Sequence, residues 1–283
     1  MEMKVVLITG CSSGIGLSTA VMLAKNNYKV YATMRDLSRK DKLVEAAKQA
    51  NAELEIKQLD VTDESSIKKT VDEIISKEGR IDVLVNNAAY GLRGTVENVT
   101  IDEVQQQFDT NVFGVIRVCQ EALPYMRQQK SGHIINISSV AAVRSLPYSG
   151  IYSATKCALE AISESMSSEL SLFGIKVTVI EPGPVSTDFA QRSFKYGTRL
   201  DDDNPYKEVL EYAKKTQDER LKTAQTPEEI AALIKESIEA EKPHFRYQTR
   251  EDGKKIADSK LKDITGDSVI ELTRQQLVER LEK

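Results

Sequence analysis

Val5-Val-Leu-Ile-Thr-Gly-Cys-Ser-Ser-Gly-Ile-Gly16 joins a short apolar run to a glycine-rich turn near the start of the chain. The run predicts a buried strand, and the pattern after it predicts a helix that begins near Ile15. Gly10, Gly14 and Gly16 allow positive φ and a close approach of the backbone to a ligand, and a helix N-terminus offers N–H groups to a pyrophosphate. The spacing differs from G-x-G-x-x-G, so a tight turn without a ligand is the alternative.

The same alternation of strand and helix continues to residue 182. The clearest helix is Glu64–Lys77, in which Ile67, Val71 and Ile74 fall on one face. We therefore expect an α/β fold, a single Rossmann-type doubly wound, mainly parallel sheet of about seven strands with helices on both faces. Its first six strands are expected at Lys4–Ile8, Lys29–Ala32, Leu54–Leu59, Asp82–Val85, His133–Ile137 and Lys176–Ile180.

The later part of the chain is expected to complete one catalytic domain over residues 1–250. Thr226-Pro-Glu-Glu229 is a capping box that opens a helix, Pro243 is expected to stop it, and His244–Gln248 is a candidate edge strand. Residues 189–225 have no strand pattern and are predicted to be a substrate-binding excursion. Residues 251–283 form a charged C-terminal extension, either a surface helix or a partly disordered end.

Composition excludes several classes of function. The net charge of -4 and the pI of 5.5 argue against a nucleic-acid partner. Three isolated cysteines predict a reducing compartment, and two distant histidines predict no metal site. No apolar stretch approaches the roughly 20 residues of a membrane helix, so we expect no integral membrane segment and a cytoplasmic protein. His133 is expected to be structural, and Cys11 and Cys157 to be small buried side chains.

The end of the second strand bears on the choice of cofactor. It reads Tyr31-Ala-Thr-Met-Arg-Asp36, with Met34 where an acid would accept hydrogen bonds from the adenosine ribose. Arg35 follows and suits a 2'-phosphate, with help from the Ser12 hydroxyl. The sequence favours NADP(H) over NAD(H). The alternative is that Arg35 is a surface cation paired with Asp36.

A phenol, an amine and a hydroxyl are expected to meet at the carboxyl end of the sheet. Tyr152 and Lys156 stand four residues apart in a helical segment and so share a face. Reduction of a carbonyl needs a proton donor, and we expect the Lys156 cation to lower the phenol pKa from about 10. Ser139, after the fifth strand, would orient the substrate oxygen. Tyr-x-x-x-Lys alone is more often a surface pair, so the prediction depends on this combination.

These motifs, with Asn86-Asn-Ala-Ala89 and Pro182-Gly-Pro-Val-Ser-Thr187, resemble the short-chain dehydrogenase/reductase family over residues 3–190. The resemblance implies a catalytic tetrad of Asn111, Ser139, Tyr152 and Lys156, with the asparagine holding a water that relays protons to the lysine. The strand-end and late motifs are most similar to the branch of 17β-hydroxysteroid dehydrogenase type 1 and retinol dehydrogenase.

The resemblance also implies a set of cofactor contacts. Asp60 would contact adenine, Asn87 and Ala88 the adenosine-side ribose region, and Val185 and Thr187 the carboxamide. With the turn, the two catalytic side chains and their neighbours, the expected cofactor-binding residues are Gly10, Ser12, Ser13, Gly14, Ile15, Gly16, Arg35, Asp60, Val61, Asn87, Ala88, Ala89, Tyr152, Lys156, Pro182, Gly183, Val185 and Thr187.

Two departures from the family pattern affect the functional prediction. Ala89 replaces the usual glycine, and residues 189–225 lack the histidine of the steroid enzyme. Ser139, Tyr152, Tyr148 and Phe189, with Phe194 and Tyr196, are candidate substrate contacts. We expect an NADP(H)-dependent oxidoreductase that interconverts an alcohol and its ketone or aldehyde on an apolar retinoid, steroid or lipid-like substrate. An acyl-chain ketoreductase and a non-catalytic NADP-binding sensor are the alternatives, and relatives suggest a homodimer or homotetramer.

Overall fold

The computed structural model describes residues 3–145, 147–187, 194–199, 205–207, 219 and 221–260, and the single residues 265, 267, 271 and 275. Strands and helices alternate along most of these residues. The strands are β1 (Val5–Ile8), β2 (Lys29–Met34), β3 (Glu55–Gln58), β4 (Val83–Asn86), β5 (Gly91–Arg93), β6 (Gly132–Ile137), β7 (Ile175–Glu181), β8 (Phe194–Tyr196) and β9 (Arg246–Gln248). The helices are α1 (Gly14–Lys25), α2 (Asp41–Gln49), α3 (Glu64–Glu78), α4 (Ile101–Phe108), α5 (Gly114–Gln129), α6 (Val140–Val143), α7 (Gly150–Ser171), α8 (Pro227–Glu239) and α9 (Glu251–Lys260).

Seven of these strands form one parallel sheet in the order β3-β2-β1-β4-β6-β7-β9. Leu7 in β1 lies beside Tyr31 in β2 and Leu84 in β4, so β1 is an interior strand. The strand order reverses between β1 and β4, which makes the carboxyl ends of these strands the position where such sheets bind ligands. The predicted doubly wound sheet of seven strands is confirmed.

Each face of the sheet carries its own hydrophobic core because side chains alternate along a strand. Leu7 packs with Ile67 and Ile74 of α3, and Ile8 packs with Ile230 of α8 on the opposite face. The predicted apolar face of α3 is therefore confirmed. β3 differs from the interior strands because it is an edge strand with half-exposed residues.

The C-terminal half confirms two expected elements and corrects one boundary. Thr226 Oγ1 accepts from Glu229 N at 3.3 Å and Thr226 N donates to Glu229 Oε2 at 2.6 Å, which is the predicted capping box. β9 pairs with β7 as the expected edge strand. The helix does not continue to Pro243. It ends at Glu239 because the backbone of Ala240 is extended, with ψ of 131°.

β5 and β8 form a second, two-stranded parallel sheet beside the main one. Gly91 pairs with Phe194 and Arg93 with Tyr196. The prediction that residues 189–225 contain no strand was wrong, because three residues are too few to show a strand period. The remaining part of the predicted excursion lies largely outside the described residues.

Candidate active site

The glycine turn between β1 and α1 forms a backbone cradle. Gly10 and Gly14 have φ of 74° and 59°. A Cβ atom on Gly16 would lie 2.5 Å from the carbonyl oxygen of Gly10, so the turn tolerates no side chain there. Ser13 is the N-cap residue of α1, and its side chain makes no capping hydrogen bond. The first N–H groups of α1 therefore face the cradle, as binding of a pyrophosphate requires.

The end of β4 holds the glycine turn in place. Asn87 Nδ2 donates to the carbonyl oxygens of Thr9 and Gly10 at 2.8 and 3.0 Å. Thr9 Oγ1 accepts from the backbone N–H groups of Asn87 and Ala88, both at 3.0 Å. Ala89, which replaces the family glycine, does not have positive φ, so its methyl group causes no backbone strain. The Asn87 side chain thus supports the turn.

The residues after β7 return to the same turn. A Cβ atom on Gly14 would lie 3.2 Å from Thr187 Cβ, and Val185 pairs with Gln225 in an isolated bridge. The Ser186 N–H donates to the Gln225 carbonyl at 2.8 Å, which fixes the path of this segment. The structure therefore brings Gly10–Gly16 and Pro182–Thr187, two stretches distant in sequence, to one side of the sheet.

The ends of β2 and β3 lie at the same edge as the glycine turn. Met34 is 2% exposed, so the position of the expected acid is filled by a core side chain. Arg35 is exposed, and the Asp36 carboxylate caps the next turn by accepting from Ser38 N at 2.9 Å. Asp60 Oδ1 accepts from the backbone N–H and the hydroxyl of Thr62 at 2.9 and 2.7 Å.

Ser139, Tyr152 and Lys156 converge at the carboxyl end of β6. Lys156 Nζ lies 5.8 Å from the centre of the Tyr152 ring, which confirms that the two side chains share a face of α7. The Tyr152 phenol forms a hydrogen bond with the Ser139 side chain. Ser139 also caps α6 by accepting from Ala141 N at 3.1 Å. The expected hydroxyl, phenol and amine therefore form one cluster.

The electrostatics of this cluster differ from the prediction. Burial raises the pKa of the Tyr152 phenol, and the Ser139 hydrogen bond and the Arg93 charge lower this pKa only in part. Burial lowers the pKa of Lys156 to about 8, opposed by the Glu160 charge. Lys156 Nζ donates to the Ile137 carbonyl at 2.8 Å. The phenol pKa is therefore raised here and not lowered as expected, with Arg93 as the cation among its named causes, and the acidifying role of Lys156 stays a prediction.

Asn111 lies in a turn of π-helix, Asp109–Phe113, between α4 and α5. Its side chain accepts from Tyr90 N at 3.1 Å and donates to Tyr90 O at 2.9 Å. It also donates to Thr155 Oγ1 at 3.2 Å, one residue before Lys156. Asn111 therefore links the strand-end loop to α7, and π-helical turns are frequent at functional sites.

Two further charged features lie near the site and were missed from the sequence. The sequence did not point to Arg93 because its strand, with only three residues, is too short to show a strand pattern. Arg246 Nε lies 3.2 Å from a carboxylate oxygen of both Glu160 and Glu181, in a buried cluster behind Lys156. The i,i+4 spacing of Lys156 and Glu160 was the available signal, but the contribution from β9 had none.

The candidate substrate residues are only partly described. Tyr148 is buried, has φ of 61°, and its hydroxyl donates to the Tyr206 carbonyl at 2.7 Å. Its predicted contact with substrate stays a prediction. Phe189 lies outside the described residues, and Tyr196 is 45% exposed.

Cys11 and His133 lie where their predicted roles require, and Cys157 does not. Cys11 is buried, and burial raises its pKa to about 12. Cys157 is exposed, which corrects the expected burial, since its position on α7 faces outward. His133 is buried at 6% exposure, as a structural residue would be. His244 has a partner that the sequence did not reveal, because its Nδ1 lies 2.5 Å from Asp267 Oδ2.

The described residues hold neither a cluster suited to a metal ion nor a helix suited to a membrane. They contain no group of three His, Cys, Asp or Glu side chains arranged to hold a metal ion. Among these same residues, no helix combines the length and apolarity needed to span a membrane.

Comparison with known proteins assigns the chain to a family. The family model described as short chain dehydrogenase matches residues 4–196. The chain is 37% identical to a 3-ketodihydrosphingosine reductase of Bacteroides thetaiotaomicron, with 87% of each chain covered. It is 35% identical to human retinol dehydrogenase 8, covering 97% of this chain and 90% of the relative. It is also 37% identical to human 17-beta-hydroxysteroid dehydrogenase type 1, covering 95% and 84%.

Solved structures give the same result. A short-chain dehydrogenase from Streptomyces avermitilis superposes with a TM-score of 0.81 at 33% identity, covering 99% of this chain and 98% of that chain. A short-chain dehydrogenase/reductase from Burkholderia phymatum in complex with NAD has a TM-score of 0.77 at 26% identity, covering 89% and 90%. ElxO with NADP bound has a TM-score of 0.73 at 26% identity, covering 87% and 97%. This chain belongs to the short-chain dehydrogenase family and is an oxidoreductase that acts on CH–OH groups.

Proposed function

We propose that the chain interconverts an apolar alcohol and its ketone or aldehyde with NADP(H), and that Asn111, Ser139, Tyr152 and Lys156 are its catalytic residues. The observation that carries this proposal is the hydrogen bond between Ser139 and Tyr152 beside Lys156. These groups lie at the carboxyl end of β6, on the side of the sheet where the glycine turn offers its cradle. A nicotinamide bound there would supply or accept the hydride.

The protein side chains would handle the oxygen and its proton. The Ser139 hydroxyl and the Tyr152 phenol would hold a substrate carbonyl between them, and the phenol would donate its proton as the alkoxide develops. Because burial raises the phenol pKa, Tyr152 is protonated at neutral pH and ready to act as an acid. In the oxidative direction the phenol must first ionise, so we expect oxidation to increase with pH.

The proposed substrate class depends on the relatives. Retinol, a 17β-hydroxysteroid and 3-ketodihydrosphingosine, the compounds in their names, are all lipid-like alcohols or ketones. The ketosphingosine enzyme also supports the second candidate, a reductase of acyl-chain ketones. A non-catalytic sensor receives less support because the sequence keeps all four proposed catalytic residues.

A substrate panel tests the proposed reaction. NADPH consumption would be followed with retinals, ketosteroids, long-chain ketones, ketoacyl thioesters and quinones. We expect at least one lipid-like carbonyl compound to be reduced. Tight NADPH binding with no turnover on any member of the panel would favour the sensor instead, and selective turnover of ketoacyl thioesters would favour the acyl-chain ketoreductase.

The preference for NADP(H) is supported by the exposed Arg35 guanidinium after the buried Met34. Similar solved structures hold either NAD or NADP, so the cofactor preference of this chain has to be argued from its own residues. We expect Arg35→Asp to reverse the preference toward NAD(H), by removing a phosphate partner and adding a ribose partner. Arg39→Asp, a nearby exposed cation changed in the same way, is the matched control. An unchanged NADP preference in Arg35→Asp would contradict the assignment of Arg35 to the 2'-phosphate.

The oligomeric state we propose is a homodimer or homotetramer paired through α5 and α7, as the family resemblance implies. Light scattering would then give a mass that is two or four times the 31.6 kDa of the chain. A mass of one chain at micromolar concentration would contradict it.

A further inference from the structure

The backbone of Gln225 holds the segment that follows β7. Gln225 N donates to the Pro184 carbonyl at 3.0 Å, and the Gln225 carbonyl accepts from Ser186 N at 2.8 Å. The two bonds lie on either side of Val185, which is the residue paired with Gln225 in the parallel bridge. Gln225 therefore fixes the path of the chain from Pro184 to Ser186.

The side chain of Gln225 ties this residue to the main sheet. Gln225 Nε2 donates to the Thr249 carbonyl at 2.9 Å, and Thr249 Oγ1 donates to Gln225 Oε1 at 2.5 Å. Thr249 directly follows β9, and its N–H donates to the Glu181 carbonyl at 3.4 Å, which extends the pairing of β9 with β7. The amide oxygen and the amide nitrogen of Gln225 thus both bind Thr249, in one fixed orientation.

The surroundings of Gln225 connect it to the glycine turn from two directions. α8 begins two residues after Gln225 and packs against α1, where Ser18 Oγ donates to Glu228 Oε1 at 2.8 Å. Thr187 ends the segment held by Gln225 and lies against the turn, since a Cβ atom on Gly14 would be 3.2 Å from Thr187 Cβ. Gln225 is therefore the point at which β9, α8 and the segment after β7 are joined.

We propose that Gln225 is a positioning residue for the nicotinamide end of the cofactor. Its amide, bonded to Thr249, holds Val185 and Thr187 where they can bind the carboxamide. This inference rests on the proposed function and on the carboxamide contacts that the family resemblance implies for those two residues. Gln225 itself belongs to none of the cofactor motifs, because it is the last residue of the predicted excursion 189–225.

The position of Gln225 in the fold predicts a selective effect. In the proposed function the adenosine half of the cofactor lies at the glycine turn, Arg35 and Asp60, which follow β1, β2 and β3. Gln225 acts on the chain that follows β7, and β7 and β2 lie on opposite sides of β1 in the sheet. Loss of the Gln225 side chain should therefore weaken binding of the nicotinamide and leave binding of the adenosine half unchanged.

Two nucleotides separate this role from a general loss of structure. 2'-Phospho-ADP-ribose is NADPH with a hydroxyl group in place of the nicotinamide ring, so it reports on the adenosine half and the phosphates. Calorimetric titration would give the dissociation constants of both for the wild type and Gln225→Ala. We expect the constant for NADPH to rise at least about fivefold, and that for 2'-phospho-ADP-ribose to stay within about twofold. NADH and ADP-ribose form the equivalent pair if the chain prefers NAD(H).

Thr249 offers a matched pair of variants. Thr249→Val keeps the shape of the side chain but removes the hydroxyl that donates to Gln225, so NADPH should bind at least about threefold more weakly. Thr249→Ser keeps the hydroxyl and should bind NADPH as the wild type does. In the Gln225→Ala background, Thr249→Val should have no further effect, because the two side chains act as one unit.

The outcomes separate the inference from the proposed function. Gln225→Ala with equal losses of affinity for both nucleotides, or with unchanged affinity for NADPH, would overturn the inference. If Gln225→Ala does not fold, the comparison of Thr249→Val with Thr249→Ser decides, and equal NADPH affinities in these two variants would overturn it. A protein that shows the expected difference in binding but reduces no carbonyl compound would fail the proposed reaction and leave the inference in place.

Discussion

Replacing Glu181 with Gln is expected to make the protein more stable in alkaline solution. Glu181 is fully buried at the end of β7, where Gln248 Nε2 donates to its Oε2 at 3.0 Å and the charge of the neighbouring Glu160 acts on its carboxyl group. Arg246 Nε lies 3.2 Å from an oxygen of each of these two carboxyl groups. Because one cation faces two carboxyl groups, one carboxyl group retains its proton. Burial, together with the Glu160 charge, raises the pKa of Glu181 to about 8.

The sign and size of the effect follow from linkage. Between pH 4.5 and about 8, the Glu181 carboxyl group keeps its proton in the folded state and has lost it in the unfolded state. The free energy of unfolding therefore holds its full value below pH 4.5 and falls as the pH rises toward 8. At about 1.36 kcal/mol per pKa unit, the loss is at most about 5 kcal/mol. Since Glu181 and Glu160 share the proton, we expect a smaller effect in practice. The free energy of unfolding of Glu181→Gln, relative to that of the wild type, should increase by at least about 2 kcal/mol from pH 5 to pH 9.

Equilibrium urea unfolding across this pH range measures the difference. Glu164→Gln is the control, because Glu164 also contacts Arg246, at 3.4 Å, but its side chain is 36% exposed. We expect the control to follow the wild-type pH dependence. The reasoning would be refuted by a Glu181→Gln variant whose free energy of unfolding runs parallel to that of the wild type from pH 5 to pH 9.

Three further changes probe the core, the cradle and the catalytic helix. Burial lowers the pKa of His133 from 6.5 to about 3, so the folded state excludes a proton that the unfolded state binds and stability falls with acidification through this range. His133→Gln should therefore lose less stability than the wild type between pH 7 and pH 4 in urea unfolding. Gly16→Ala should weaken NADPH binding at least about tenfold in fluorescence titration, because the added methyl meets the Gly10 carbonyl, while Gly79→Ala should only lower stability. Asn111→Ala should lower the free energy of unfolding by about 1 to 3 kcal/mol, because it leaves the Tyr90 N–H without its acceptor while the Tyr90 carbonyl keeps the Gln107 amide, and unchanged stability would contradict that arrangement.

The parts of the site that the sequence predicted follow from short-range rules. Helical spacing placed Tyr152 and Lys156 on one face, and the rule that parallel strands bind ligands at their carboxyl ends brought Ser139 to them. The glycine turn was visible because its φ values and crowding admit few other residues. Each of these features depends on residues within one strand, turn or helix.

The features that the sequence did not predict arise from contacts between distant elements. Arg93 reaches α7 through a three-residue strand, and Arg246 meets Glu160 and Glu181 only after β9 has joined β7. The raised pKa of the Tyr152 phenol was missed for the same reason. Spacing predicts that two side chains are neighbours, whereas a pKa depends on burial and on every charge that the fold brings near.

The central claim is that Tyr152 transfers the proton at a site where the cofactor cradle and the Ser139 hydroxyl are already in place. Single-turnover reduction of the best carbonyl substrate by bound NADPH, compared between the wild type and Tyr152→Phe, tests it most directly. We predict a rate lower by at least about a thousandfold, with NADPH affinity within about twofold of the wild type. A phenylalanine variant that reduces the substrate at a rate close to that of the wild type would contradict the claim.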